Sequence, residues 1–283
     1  ISRISGSHVG SYAIGLGTLT SSDYTLVLVA ANLTITPATL YVSAHSSSKT
    51  YGNADPVLEY TANGFLNGDS ASVLTGALVR EAGSHVGTYA IALGTLAAAD
   101  YSISFVGADF SINARPISVK VANASKTYGQ VDPAMNVCSI SAGSLADNDS
   151  IVGTCTTTRS PGNNAGQYTI TASGVDFSSG LSSDYEVTFV AGVLSISKAT
   201  LTITVANATK TYGTSDPQNA FEISGLVNSD DASVVSGTYS RQAGNHVGSY
   251  NYLVGTISVG SNYELVFDGG ALSVTKAPLN VVA

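Results

Sequence analysis

Three nine-residue stretches repeat a lysine, a tyrosine, a glycine and an aspartate in one order: SKTYGNADP at 48–56, SKTYGQVDP at 125–133 and TKTYGTSDP at 209–217. Lys49 with Asp55, Lys126 with Asp132, and Lys210 with Asp216 put opposite charges on either side of a turn. With Tyr51, Tyr128 and Tyr212 between them, these side chains could line a ligand face or hold a metal ion. The same residue types also build an ordered turn. Gly52, Gly129 and Gly213 reach positive φ at little cost, and the proline that closes each stretch sets the exit. A tyrosine ring pins such a loop to a sheet edge with its hydroxyl on backbone, and the aspartates accept local N–H groups. The turn is the expected role, and the ligand face its rival.

Other reactive side chains are sparse. His8, His85 and His246 recur in G[SN]HVG, Ala165 stands at the matching place in 162–170, and His45 is the remaining histidine. None has Cys or carboxylate neighbours at metal-ligand spacing, so these are read as turn or solvated histidines. No nucleophile elbow, phosphate loop or zinc pattern occurs, and no catalytic residue is assigned. Residues 147–150 (DNDS) and 228–233 (NSDDAS) could attract calcium, but they lack the spaced ligands and closing Glu of an EF-type loop. They serve equally as helix N-caps, so no cofactor is expected and calcium is the one candidate. Cys138 and Cys155 are the two cysteines. Aligned to the first copy, they take the places of Glu59 and Leu78. A disulfide is expected, with two buried thiols as the alternative.

The elements that position these residues follow from pattern. Val, Ile, Leu and Ala alternate with Ser and Thr, with no sustained 3.6-residue period, which describes half-buried strands. In the first full copy, strands are expected at 39–44, 58–65, 77–81 and 87–96. One or two helical turns at 67–76 would run from Asp69 as N-cap to Gly76. In 100–114 the apolar residues switch from odd positions (Tyr101, Ile103, Phe105) to even ones (Phe110, Ile112). The switch recurs around Gly269 and Gly270, and two strands joined as a hairpin are expected there. Tyr12, Tyr89, Tyr168 and Tyr250, and Tyr24, Tyr101, Tyr185 and Tyr263, recur in register. They are read as core rather than as a sugar-stacking platform, since Trp is absent.

The period of about 80 residues is the strongest signal in the chain. It divides the sequence into full copies at 39–115, 116–199 and 200–277. Residues 1–38 match the back half of a preceding copy, and 278–283 the start of a following one. Each copy can form its own small domain. The short joints at 114–116 and 199–200 imply a stiff, elongated array. The fold class is therefore mainly β, a tandem array of small β-rich domains. A β-grasp-like sheet holding one short helix is favoured, with an immunoglobulin-like sandwich as the alternative.

Charged residues are only 11% of the chain, against about 25% in ordinary proteins. The net charge is −8 with 11 Lys and Arg. That argues against nucleic acid and against anionic membrane surfaces as partners. No apolar run approaches the roughly 18 residues of a membrane span, so no membrane insertion is expected.

KTYGxxDP, GxxVGxY and NYxLxFxGGxLSVTKA appear in this order, and together they resemble the bacterial MBG domain of the YGX type. The resemblance covers nearly the whole chain. The copy at 116–199 departs most, with GNNAGQY at 162–168 and the two cysteines. The resemblance implies tandem modules of large secreted or surface-attached bacterial adhesins, including filamentous-haemagglutinin-like proteins exported by two-partner secretion. Some of that class attach cells to biofilm polysaccharide or host surfaces. The implied setting is extracellular, and the implied partners are adjacent repeats and polysaccharide or host glycan. The expected function is a non-catalytic stalk, with weak multivalent glycan binding by the repeats as the alternative.

Overall fold

A computed structural model describes residues 1–146, 148–178 and 181–282. The chain folds as two compact units. The first comprises Ile1–Ile117 with Ser144–Ser150 and Phe177–Glu186, and the second comprises Ser118–Gly143, Ile151–Asp176 and Val187–Ala283. The second repeat is thus shared between units, its two loop segments packing in the first.

In the first unit, Ala38–Ala44 is the centre of a three-stranded sheet. It pairs antiparallel with Tyr60–Asn63 and parallel with Tyr101–Val106. A four-stranded sheet runs Ser47–Thr50, Ala108–Asn113, Gly87–Ala92, Val79–Arg80, its first pair parallel and the rest antiparallel. Strand alternation turns Leu40 and Val42 of one sheet, and Ile91, Phe110 and Ile112 of the other, into the core. Ahead of this repeat, Ser2–Arg3, Gly10–Gly15 and Ala31–Ile35 form a three-stranded antiparallel sheet. The segment 24–29 is not a strand, although its counterparts in later repeats are. Those counterparts pair parallel with the opening strand of their own repeat.

The second unit repeats the arrangement. Ala199–Val205 pairs with Glu222–Ser224 and Tyr263–Gly269, while Ala208–Thr211, Ala271–Thr275, Gly248–Leu253 and Ser240–Arg241 form the facing sheet. Val205 from one sheet packs with Tyr252, Leu272 and Val274 from the other, joined by Phe221 and Phe267. This is a β-sandwich, the second of the two arrangements expected. A further cluster runs from Val121, Tyr128, Ile170, Leu194 and Ile196 of the second repeat into Ala199, Leu201 and Tyr263 of the third. Within this unit the core does not stop at the repeat boundary.

Two expectations need correction. The last two strands of each repeat are not a hairpin. Tyr101–Val106 lies in the three-stranded sheet and Ala108–Asn113 in the four-stranded one. The change of face is real, but the chain uses it to cross between sheets. The crossing is tight: a Cβ on Gly107 would lie 2.8 Å from the Ile91 carbonyl, and one on Gly270 2.8 Å from that of Val205. The helical segment is a single 3₁₀ turn, Ala71–Val73, capped by Ser70 rather than Asp69. Its counterpart Ala232–Val234 is capped by Asp231. Such a turn does not fill the concave face of a β-grasp sheet, and a second sheet does so instead. Among the described residues no helix is long and apolar enough to cross a membrane.

Candidate functional site

Each Lys–Asp pair belongs to a three-membered ion cluster. Lys49 Nζ lies 2.6 Å from Asp55 Oδ1, and Arg80 Nε lies 2.6 Å from Asp55 Oδ2. Lys126, Asp132 and Arg159 repeat this at 2.7 and 2.6 Å, and Lys210, Asp216 and Arg241 at 2.6 and 2.5 Å. The lysine starts from the short strand before the loop and the arginine from Val79–Arg80 or its equivalents, so the cluster ties the loop to the sheet edge. These aspartates therefore serve side-chain cations, not the local N–H groups expected of them. The arginine was missed. Four of the five arginines (Arg3, Arg80, Arg159, Arg241) recur at one place in the repeat, and that was the available signal.

The guanidinium also lies over a tyrosine ring, 5.3 Å from Tyr89 and 5.4 Å from Tyr250. The far face of that ring meets a glycine: a Cβ on Gly83 would sit 2.1 Å from Tyr89 Cε1. Tyr89 donates its hydroxyl to the His85 carbonyl at 2.7 Å, and Tyr250 to that of His246 at 2.9 Å. These half-buried tyrosines shape the G[SN]HVG loop, and Tyr250 and its counterpart Tyr168 also pack against the core, in which Tyr101, Tyr185 and Tyr263 are buried.

The Arg241 and Lys210 hydrogen bonds hold the Asp216 carboxyl down to about 2. Arg80 with Lys49, and Lys126 with Arg159, lower Asp55 and Asp132 in the same way. A carboxyl lowered on folding stabilises the fold above its unfolded value and loses that contribution as pH falls through the folded one. For Asp216 the window runs from about pH 4 down to about 2. Asp216 is 38% exposed, so solvent screening keeps the effect modest. Arg241→Gln is expected to lower Tm at pH 7 and to flatten the fall of Tm between pH 4 and 2, as a thermal-melt series would read.

The tyrosine of the motif faces another repeat. Its backbone stays on its own sheet edge, Tyr51 N–H donating to the Asn113 carbonyl at 2.9 Å. In the first unit its hydroxyl donates to Asp149 Oδ2 at 3.2 Å, and Tyr185 donates to the same oxygen at 2.5 Å. The two rings meet edge to face at 5.5 Å. Burial first, and then the bond to Asp149, pushes the Tyr185 phenol far up. Arg115 closes this joint, donating to the Tyr51 carbonyl at 3.0 Å and to the Ser144 carbonyl at 2.7 Å. Gly52, at φ 79°, lets the loop approach: a Cβ there would be 2.5 Å from Ala146 Cβ. In the second unit, Tyr128 and Tyr263 donate to Asp230 Oδ2 at 3.1 and 2.7 Å, and their rings meet at 5.6 Å. Gly129 faces Val227 as Gly52 faces Ala146.

A second contact of each joint comes from the G[SN]HVG loop. In the first unit His8 Nδ1 lies 2.6 Å from Asp100 Oδ2, and the Val9 N–H donates to Asp100 Oδ1 at 2.7 Å. His85 and Val86 engage Asp184 identically, at 2.7 and 2.8 Å. Asp184 is fully buried and also accepts the Leu181 N–H at 3.0 Å. Burial alone would raise its carboxyl, yet the Val86, His85 and Leu181 donors together hold it below the usual range. Asp100 raises the His8 imidazole through their hydrogen bond. In the second unit Asn164, not Ala165, stands at the histidine's place, Ala165 stands at that of Val9 and Val86, and the facing residue is Asn262. The Ala165 N–H donates to Asn262 Oδ1 at 2.9 Å, and Asn262 Nδ2 donates to Asn164 Oδ1 at 3.1 Å. His8 and His85 are thus joint residues as well as solvated ones, their side chains 82% and 47% exposed.

At the third repeat the joint residues stand open among the described residues. Tyr212 is 48% exposed, a Cβ on Gly213 would meet nothing within 4 Å, and Val247 is 51% exposed. Tyr212 still stacks on His246 at 6.2 Å, as Tyr51 does on His85 at 6.3 Å.

Of the calcium candidates, Asp147 lies outside the described residues. Asp149 and Asp230 bind tyrosine hydroxyls, and Asp231 accepts the Ser233 N–H at 2.9 Å. Cys138 and Cys155 form a disulfide with Cα atoms 6.1 Å apart. It ties Cys138–Ala142 to Ile151–Arg159, one strand from each sheet of the sandwich. In the third repeat the register puts Phe221 at the place of Cys138, and the Tyr239 hydroxyl donates to the Asn219 carbonyl at 2.9 Å. Reduction of the bond, whose cysteines lie 17 residues apart, is expected to cost about 3 kcal/mol, measurable by denaturant melts with and without reductant.

A family model of the MBG domain (YGX type) matches residues 40–111, 117–195 and 201–273. No curated protein matches the chain. Among solved structures, the I9-I11 tandem of titin is similar at 11% identity over 83% of this chain and 100% of that one, with a TM-score of 0.22.

Proposed function

This chain belongs to the family of YGX-type MBG domains, and on that premise we propose that it is a non-catalytic stalk of a secreted or cell-surface bacterial adhesin. Its task is to hold an adhesive region away from the cell during attachment or biofilm formation. The observation that carries this reading is the joint. In each unit a motif tyrosine, a loop aspartate and a strand tyrosine lock one repeat to the next. In the second unit the apolar core continues through the boundary. Joints built this way resist bending, which is what a spacer requires. The charged groups of the motif are neutralised within their own ion clusters, a use that suits construction. A disulfide in the second repeat fits export into an oxidising compartment. Small-angle scattering on the whole chain tests the reading. An elongated particle whose length grows in proportion to the number of repeats supports it, and a compact globule overturns it.

One observation favours glycan binding as a second reading. The third repeat carries a cleft of about 470 Å³ between its sheets, lined by Tyr239, Tyr252 and Phe221 with Asn219, Gln218 and Arg241. Aromatic faces beside amides suit a sugar ring. Binding on a glycan panel that Tyr239→Ala removes would favour this reading; silence of the folded chain would leave the stalk.

A further inference from the structure

The three joints of this chain do not use the same pair of residues. Where the loop offers histidine, the facing residue is aspartate: His8 with Asp100 and His85 with Asp184. Where the loop offers asparagine, the facing residue is asparagine: Asn164 with Asn262. The chemistry explains the match. Imidazole and carboxylate form a charge-assisted hydrogen bond, about twice as strong as a neutral one. The second carboxylate oxygen takes the next N–H, from Val9 or Val86. Asn164 offers no charged donor, so a buried carboxylate opposite it would meet its desolvation cost with neutral partners alone. Asparagine avoids this: its Oδ1 takes the Ala165 N–H while its Nδ2 donates to Asn164.

We infer that this pair is a matching rule between repeats, and that the open face at Tyr212, Gly213, His246 and Val247 is a docking surface for another YGX-type repeat presenting Asp-Tyr rather than Asn-Tyr. The occupant follows from the two filled examples of the same face. Tyr51, Gly52, His85 and Val86 are covered by Ala146, Asp149 and the Asp184-Tyr185 pair. Tyr128 and Gly129 are covered by Val227, Asp230 and Tyr263. The open face has the same loop and the same Tyr–His stack, and it carries histidine. Histidine selects aspartate. The rule is independent of the stalk reading, because it concerns which repeats fit one another and not what the assembly does.

The test appends a further copy of residues 116–199 to the chain after residue 277, placing the copy's Asp184 opposite His246. A second protein carries Asp184→Asn in the appended copy only. The readout is amide hydrogen exchange of Val247, whose counterpart Val86 donates to Asp184 Oδ1. Val247 is expected to be protected at least about tenfold more in the Asp protein than in the Asn protein, the difference between a charge-assisted and a neutral match. A third protein combines His246→Asn with the appended Asp184→Asn and is expected to regain most of the protection, as the Asn164–Asn262 joint implies. Equal protection with Asp and Asn overturns the matching rule. Protection absent from all three, in chains whose core amides exchange slowly, overturns the docking surface.

Discussion

Asp184→Ala is expected to destabilise the first unit by about 3–5 kcal/mol, a value appropriate to breaking a buried charged cluster from one side. The carboxylate is fully buried and serves three donors at once: His85 Nδ1, the Val86 N–H and the Leu181 N–H. Alanine leaves all three without that acceptor. Denaturant unfolding should show a fall in midpoint, and exchange of the Val86 and Leu181 amides should accelerate beyond the global change. Asp184→Asn retains an acceptor and is expected to lose less. A loss below about 1 kcal/mol for the alanine variant would mean that the joint contributes little to folding.

The second large effect separates a turn glycine from a joint glycine. Gly129 and Gly213 occupy the same motif position, with φ of 86° and 89°. A Cβ on Gly129 would lie 2.6 Å from Val227 Cβ and Cγ2, whereas one on Gly213 would meet nothing within 4 Å. Both alanine variants carry the cost of a left-handed backbone, about 1–2 kcal/mol. Only Gly129→Ala adds overpacking, for a total of about 3–4 kcal/mol. Paired thermal melts read the difference directly. Equal losses would make the motif glycine a turn residue and no more, and would weaken the case for tight joints.

These expectations show where the sequence reading was incomplete. It treated 48–56 and its copies as turns because Gly, Asp and Pro are the residues of turns, and turns they are. Asp55 was expected on local N–H groups; it pairs instead with Lys49 and with Arg80, 25 residues away, and nothing in a local pattern announces the second pairing. The tyrosines were expected to satisfy their hydroxyls on backbone. Tyr51 instead reaches Asp149, 98 residues on, and Tyr128 reaches Asp230, 102 residues on. Separations longer than one repeat point to contact between copies, and a search for complementary positions one period apart would have found them.

The sequence by itself determined the period, the β class and the core. Alternation of apolar and small polar residues dictates which side chains turn inward on a strand, and a motif repeated in order defines a repeated domain without reference to tertiary contacts. It also placed both cysteines in one copy. Only the tertiary structure decided whether the change of face at Gly107 and Gly270 makes a hairpin or a crossing between sheets, because periodicity reports which face a residue takes and not which strand lies beside it. The joints were decided there as well. A histidine that reads as a turn residue in its own repeat becomes the partner of an aspartate from the next, which in the case of Asp184 is fully buried. Burial is a property of the assembled neighbours, and no local window contains both.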